Sequence, residues 1–194
     1  MKQLLIATKN ANKLSEIKTL LGNDVQVESL LDYPNFAEIA ETGTTFAENA
    51  RLKAQSAIDF LQIPTLADDS GLSVDYLHGQ PGVRSARYAG DHDDAANNAK
   101  LLAELGGVPL EKRTAHFSTT MVYLDPLKDQ EIVVTGKLEG LISLVPQGHD
   151  GFGYDSLFYV PTLHKTLAEL SLADKNKISH RGSALRQFVE EYNK

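Results

Sequence analysis

Two aspartates stand side by side in "LADDSGLSVD", residues 66–75, between a short apolar run and an alternation of strand character. Neighbouring side chains on an extended backbone point to opposite faces, so at most one of Asp68 and Asp69 reaches a given metal directly. Buried, unpaired carboxylates are costly and need a cation, hydrogen-bond donors or solvent. The competing expectation is an Asp-Ser-Gly turn that ends the strand and caps its own backbone.

Other stretches carry weaker signals. Glu41, in "EIAETGTTF", reads by itself as a solvated loop acid, yet Mg2+ takes one or two carboxylates plus waters and phosphates, and Glu41 with Asp69 would suffice. The loop "TKNANK" lies between a strand and a helix, where backbone N–H groups and the helix dipole favour a phosphate. Thr8, Asn10 and Asn12 add short polar side chains there and Lys13 a cation; the plainer expectation is an Asn-capped turn with a solvated lysine. The P-loop pattern GxxxxGK[ST] is absent from the whole chain. In "GFGYD", Phe152 sits between glycines and suits either stacking on a nucleobase or a core position at a bulge. "KNKISHRG" places Lys175, His180 and Arg181 before a helix, the pattern of a basic, solvated helix start.

These residues need elements to hold them. "QLLIA" reads as a buried strand, and Leu14, Ile17, Leu20 and Leu21 follow at helical spacing until Gly22 ends the helix. Thr45 and Glu48 fit a capping box opening a second helix. Its apolar stripe is Phe46, Ala50, Ala54, Ala57, Ile58 and Leu61, with Asn49, Lys53 and Ser56 along one edge. Residues 65–76 read as a strand interrupted at "DDSG", 95–105 as a helix, 114–124 and 131–144 as strands, and the last segment as a helix bearing Ala184, Leu185, Phe188, Val189 and Tyr192. Alternation early and long strands later predict a mixed α/β sheet. With 194 residues, 42% of them hydrophobic, one domain is expected. A net charge of −7 weakens a nucleic-acid partner, and without cysteine any metal must sit on oxygen or histidine. The apolar run in "MKQLLIATKN" is too short for a secretory signal, and no stretch approaches the ~20 apolar residues of a membrane span, so a cytoplasmic protein is expected.

Taken in order, "TKNANK", "ETGTTFAENARLKA", "LADDSGLSVD", "GQPGVRSARYAG", "GFGYDSLF" and "SHRGSALRQF" make the chain resemble the inosine triphosphate pyrophosphatase family, also called dITP/XTP pyrophosphatases, from about residue 4 to residue 188. The resemblance implies one domain over residues 1–194 with an elongated, twisted mixed β-sheet, flanking helices and two lobes around a central cleft, assembled as a homodimer. It implies Mg2+-dependent hydrolysis of deaminated purine nucleoside triphosphates (ITP, dITP, XTP) to the monophosphate and pyrophosphate, cleansing the nucleotide pool. Carried over residue by residue, Thr8, Lys9, Asn10, Ala11, Asn12 and Lys13 would bind phosphate, and Lys53 would face the triphosphate. Asp69 would be metal ligand and proton acceptor, Glu41 a second metal ligand, and Asp68 a supporting acid. Ser70, Phe152, Gly153, Tyr154, Asp155, Lys175, His180 and Arg181 would bind the rest of the nucleotide. Many relatives have glycine where this chain has Lys9, which would be strained if that position required positive φ and would otherwise add a phosphate contact. The rival readings are a Maf-like nucleotide pyrophosphatase and a nucleotide-sensing module without catalysis.

Overall fold

The apolar run near the N-terminus becomes strand β1 (Lys2–Ile6) in a computed structural model that describes residues 2–21, 25–37, 39–91 and 93–193. β1 pairs in parallel with β2 (Val25–Ser29) and with β3 (Thr65–Val74), with Leu5 opposite Thr65 and Ile6 opposite Leu66. Further strands are β4 (Thr114–Asp125), β5 (Gln130–Ile142), β6 (Phe158–Val160) and β7 (Lys165–Thr166). The sheet runs β2-β1-β3-β4-β5-β6-β7, and its last two pairings, β5 with β6 and β6 with β7, are antiparallel, which makes it mixed as expected.

Contacts divide the chain into two compact units, Met1–Asp69 with Thr119–Gly136 and His180–Lys194, and Ser70–Ser118 with Lys137–Ser179. In the first, β1 is buried on both faces, the property that a continuous apolar run encodes. Leu4 and Ile6 pack with Leu66 against helices α1 (Ala11–Leu21) and α5 (His180–Tyr192), through Leu14, Ile17, Ala184, Leu185 and Phe188. The alternate residues Leu5 and Ala7 pack with Ala67 against Ala50, Ala54 and Ala57 of α2 (Phe46–Leu61). The small alanine stripe brings that helix close to the strands. In the second unit, Leu72, Phe117 and Phe158 share a core with Leu101 and Leu105 at the end of α3 (Asp94–Glu104), and α4 (Leu172–Ile178) follows the short strands.

Helix starts follow the expected chemistry. Thr45 caps α2 and forms a capping box with Glu48, and Asn10 accepts from the backbone N–H groups of Asn12 and Lys13 at 2.9 and 3.1 Å. Helix α1 therefore begins at Ala11, so only Thr8 to Asn10 of "TKNANK" is loop. Gly22, expected to end α1, lies outside the described residues. The expected break at "DDSG" is absent, since β3 runs unbroken from Thr65 to Val74. Lys9 is not among the residues with positive φ, so the lysine there carries no such strain. Strand β2, "VQVES", was not predicted: its two valines are too few for a period to show.

Close approach is built in at Gly136 of β5. A Cβ there would lie 2.1 Å from the carbonyl oxygen of His180 and 2.5 Å from the backbone nitrogen of Ala184. The first turn of α5 thus rests on bare strand backbone. Gly136→Ala is expected to lower stability by roughly 1–3 kcal/mol in urea unfolding, the usual penalty of overpacking; an unchanged midpoint would show that α5 can lift without loss.

Candidate active site

Alternation along β3 decides where the two aspartates go. Leu66 belongs to the core under α1 and α5 and Ala67 to the core under α2, so Asp68 continues the first face and Asp69 the second. The contacts agree. Asp68 Oδ2 lies 3.1 Å from Lys13 Nζ of α1 and 3.4 Å from Nε and Nη2 of Arg181 in α5. Asp69 accepts from Asn49 Nδ2 at 3.1 Å and from Lys53 Nζ at 3.2 Å, both on α2. Lys53 Nζ also donates to Glu41 Oε1 at 2.9 Å, and Arg181 Nη1 donates to Glu16 of α1. Asn49 is itself fixed, because its Oδ1 accepts from the backbone N–H of Gly43 at 2.8 Å.

Asp68, Asp69, Glu16 and Arg181 are all buried, so this network operates largely without water. Burial pushes the Asp68 carboxyl up, but Lys13, Arg181 and Lys53 outweigh it and hold the group far below the usual carboxylate range. Asp69 differs. Burial raises its carboxyl above the ordinary value, Lys53 and Lys13 oppose that, and the Glu41 charge adds to it. Burial lowers Lys13 despite Asp68, whereas Lys53, also lowered by burial, is carried above its usual value by Asp69, Asp68 and Glu41. One aspartate is locked as a structural anion and its neighbour retains demand for a cation.

That demand fits a hard metal ion. Glu41 and Asp69 converge on one ammonium, both donors are carboxylate oxygens, and the carboxylates of Glu16, Glu41, Asp68 and Asp69 outnumber the cations Lys13, Lys53 and Arg181 by one. Among the described residues no group of three or more His, Cys, Asp or Glu could hold a metal unaided, so the remaining ligands would have to be water and substrate oxygens.

At the loop before α1, Thr8 is buried and its Oγ1 accepts from Asn10 N at 3.1 Å. Lys9 is exposed and its Nζ reaches the carbonyl of Phe36 at 2.7 Å, away from the carboxylates. Ala11, Asn12 and Lys13 form the first turn of α1, and of these Lys13 joins the aspartate network. Ser70 follows in β3, half-buried.

The second unit contains its own constellation. The nitrogen of half-buried Phe152 donates to Asp155 Oδ2 at 2.9 Å, and Lys175 Nζ lies 2.6 Å from the same oxygen and 4.8 Å from the centroid of the Phe152 ring. Tyr154 is buried with its hydroxyl on the Ser85 carbonyl at 2.8 Å, and Gly153 adopts φ +61°, open to glycine without strain. The expectation of a solvated basic helix start fails here: Lys175 sits in α4 and His180 and Arg181 open α5, and all three are buried. Glu16 carries no signal of its own in the sequence. A lone acid beside an apolar stripe gives no signal until Arg181, far away in the chain, is placed against it.

Known proteins match this chain in sequence and in fold. A profile described as the Ham1 family matches residues 4–191. A protein of Lactiplantibacillus plantarum named dITP/XTP pyrophosphatase is 55% identical over 97% of this chain and 94% of its own length. A Geobacillus kaustophilus protein of the same name is 52% identical over 99% and 95%. The solved structure of a HAM1 protein from Coxiella burnetii superposes with a TM-score of 0.89 at 38% identity, covering 100% of this chain and 99% of that one.

Asp68→Asn would leave Lys13 and Arg181 short of a buried counter-charge. A loss of about 3–5 kcal/mol in chemical unfolding is expected; a loss below about 1 kcal/mol would show the network to be dispensable for folding.

Proposed function

The chain belongs to the Ham1 family, and on that footing we propose that it hydrolyses deaminated purine nucleoside triphosphates, ITP, dITP and XTP, to the monophosphate and pyrophosphate. The observation that carries the reading is the pair Asp69 and Glu41 meeting on Lys53, two carboxylates converging on one ammonium. We treat residues 1–194 as one catalytic domain, because β3, β4 and β5 each supply residues to both units. The resemblance supports a homodimer in the cytoplasm; among the described residues no helix is long and apolar enough to cross a membrane.

Asp69 and Glu41 would hold Mg2+, which supplies charge neutralisation and polarisation at the innermost phosphate. A water oxygen attacks the α-phosphorus, the bond from that phosphorus to the bridging oxygen breaks, and pyrophosphate leaves with the electron pair. Asp69 takes the water proton. Its raised pKa direction suits a base, since proton affinity helps provided the group is ionised at working pH. Lys13 has three ammonium protons, of which Asp68 takes one, and Lys53 gives one each to Asp69 and Glu41. Their charge opposes that developing on the bridging oxygen and departing group. The resemblance assigns the loop from Thr8 to Asn10 to phosphate, with Asn10 fixing the start of α1 through the N–H groups of Asn12 and Lys13.

Base selection follows from donor and acceptor types. Inosine and xanthosine present an acceptor oxygen at C6 where adenine presents an amino donor, so N–H groups of His180 and Arg181 would donate to the first and oppose the second. Phe152, with Lys175 over its ring, is the aromatic surface assigned to the purine.

A panel of nucleotides assayed for pyrophosphate with and without Mg2+ tests the reading. Release of pyrophosphate from inosine and xanthosine triphosphates, lost on chelation, is expected; preference for modified pyrimidines would favour the Maf-like alternative, and no turnover a sensing module. Asp69→Asn is expected to retain the fold by circular dichroism and lose roughly 10²- to 10⁴-fold in kcat. Near-parental turnover would remove Asp69 from the chemistry.

A further inference from the structure

Helix α3 touches the Phe152 loop through two side chains one turn apart. Asp94 Oδ2 accepts from the backbone N–H of Gly153 at 2.7 Å, and Asn98 Nδ2 donates to the Gly153 carbonyl at 2.9 Å. Residues four apart share a helix face, so one turn of α3 grips both ends of a single loop residue. That residue follows Phe152, whose own N–H is held by Asp155. The aromatic ring is therefore anchored through the backbone on both sides.

Three features set this grip apart from ordinary loop docking. Phe152 is only half-buried, with Lys175 Nζ 4.8 Å from its ring centroid. Gly153 has φ +61° and nothing within 4 Å of a Cβ position, so its glycine serves conformation and not space. Asn98 Oδ1 is buried without a hydrogen-bond donor, a cost an alanine would avoid. The neighbouring Asn97 shows the contrasting case. Its Oδ1 accepts from Ala89 and Gly90 and its Nδ2 donates to Ala86, which satisfies the amide while pinning the preceding loop.

We propose that Asp94 and Asn98 are positioning residues that set the Phe152 ring in place for the purine base before substrate arrives. This rests on the pyrophosphatase reading. A ring already ordered loses less freedom when the base stacks on it, so the two side chains act on substrate affinity. The reacting phosphorus is served by Asp69, Lys13 and Lys53, so the chemical step is spared.

The chain contains no tryptophan, so Phe152→Trp introduces a single fluorescent reporter at the loop. In that background, without nucleotide, Asp94→Ala and Asn98→Ala are expected to lower the reporter's anisotropy. With Phe152 restored, each should raise KM for inosine triphosphate about tenfold and leave kcat within about twofold. Asp94→Asn keeps an acceptor oxygen for Gly153 and should match the parent in both readings. If an alanine variant fails to fold, Asn98→Asp removes the donor at constant shape and is expected to show the same two changes. Unchanged anisotropy and KM in the alanine variants, or an Asp94→Asn variant as impaired as Asp94→Ala, would overturn the proposal. Should the parent leave inosine triphosphate intact, the pyrophosphatase reading fails, and the nucleotide-free anisotropy still decides whether α3 orders the ring.

Discussion

Two neighbouring side chains on an extended strand cannot share a face, and at Asp68 and Asp69 that geometry divides one acidic dipeptide between two helical layers. Each carboxylate is buried, so each layer must bring cations or donors to it. Helices α1 and α5 bring Lys13 and Arg181 to one, and α2 brings Asn49 and Lys53 to the other. The sites of helix packing and the sites of charge matching are therefore the same sites. The apolar alternation Leu66 and Ala67 continues into the acidic pair without a break, so the core's register and the network's register are one.

The asymmetry between the two faces has a chemical consequence. Asp68 is held by two cations and is ionised at any working pH, while Asp69 shares Lys53 with Glu41 and is pushed above the ordinary value by burial. The first arrangement anchors α1 and α5 around a fixed anion. The second suits a cation that comes and goes with substrate. Glu16 completes the first by taking the other side of the Arg181 guanidinium, and Gly136 lets the first turn of α5 lie close enough for it.

Much of this was legible in the chain and some could not be. The capping box at Thr45 and Glu48 and the apolar stripe of α2 are local patterns, and both stand as expected, with Asn49 and Lys53 on the predicted edge. The split between Asp68 and Asp69 followed from period-two alternation, but the expected Ser-Gly turn did not form, because Gly71 in β3 continues the strand and is buried. The burial of Lys175, His180 and Arg181 was invisible to composition. For Lys175 and Arg181 it depends on Asp155, Glu16 and Asp68, partners between 20 and 165 residues away in sequence. Lys9, placed in the phosphate loop by resemblance, turns to the Phe36 carbonyl, a contact that required knowing where that loop returns.

The central claim is that the face opposite Asp68 is the one that takes a divalent ion. Its most direct test is a carbon-detected magnetic resonance spectrum of protein labelled at its aspartate carboxyls, recorded at neutral pH as Mg2+ is added. The carboxyl resonance of Asp69 should shift with saturating metal while that of Asp68 stays in place. A shift confined to Asp68, or no response from Asp69, would contradict the account.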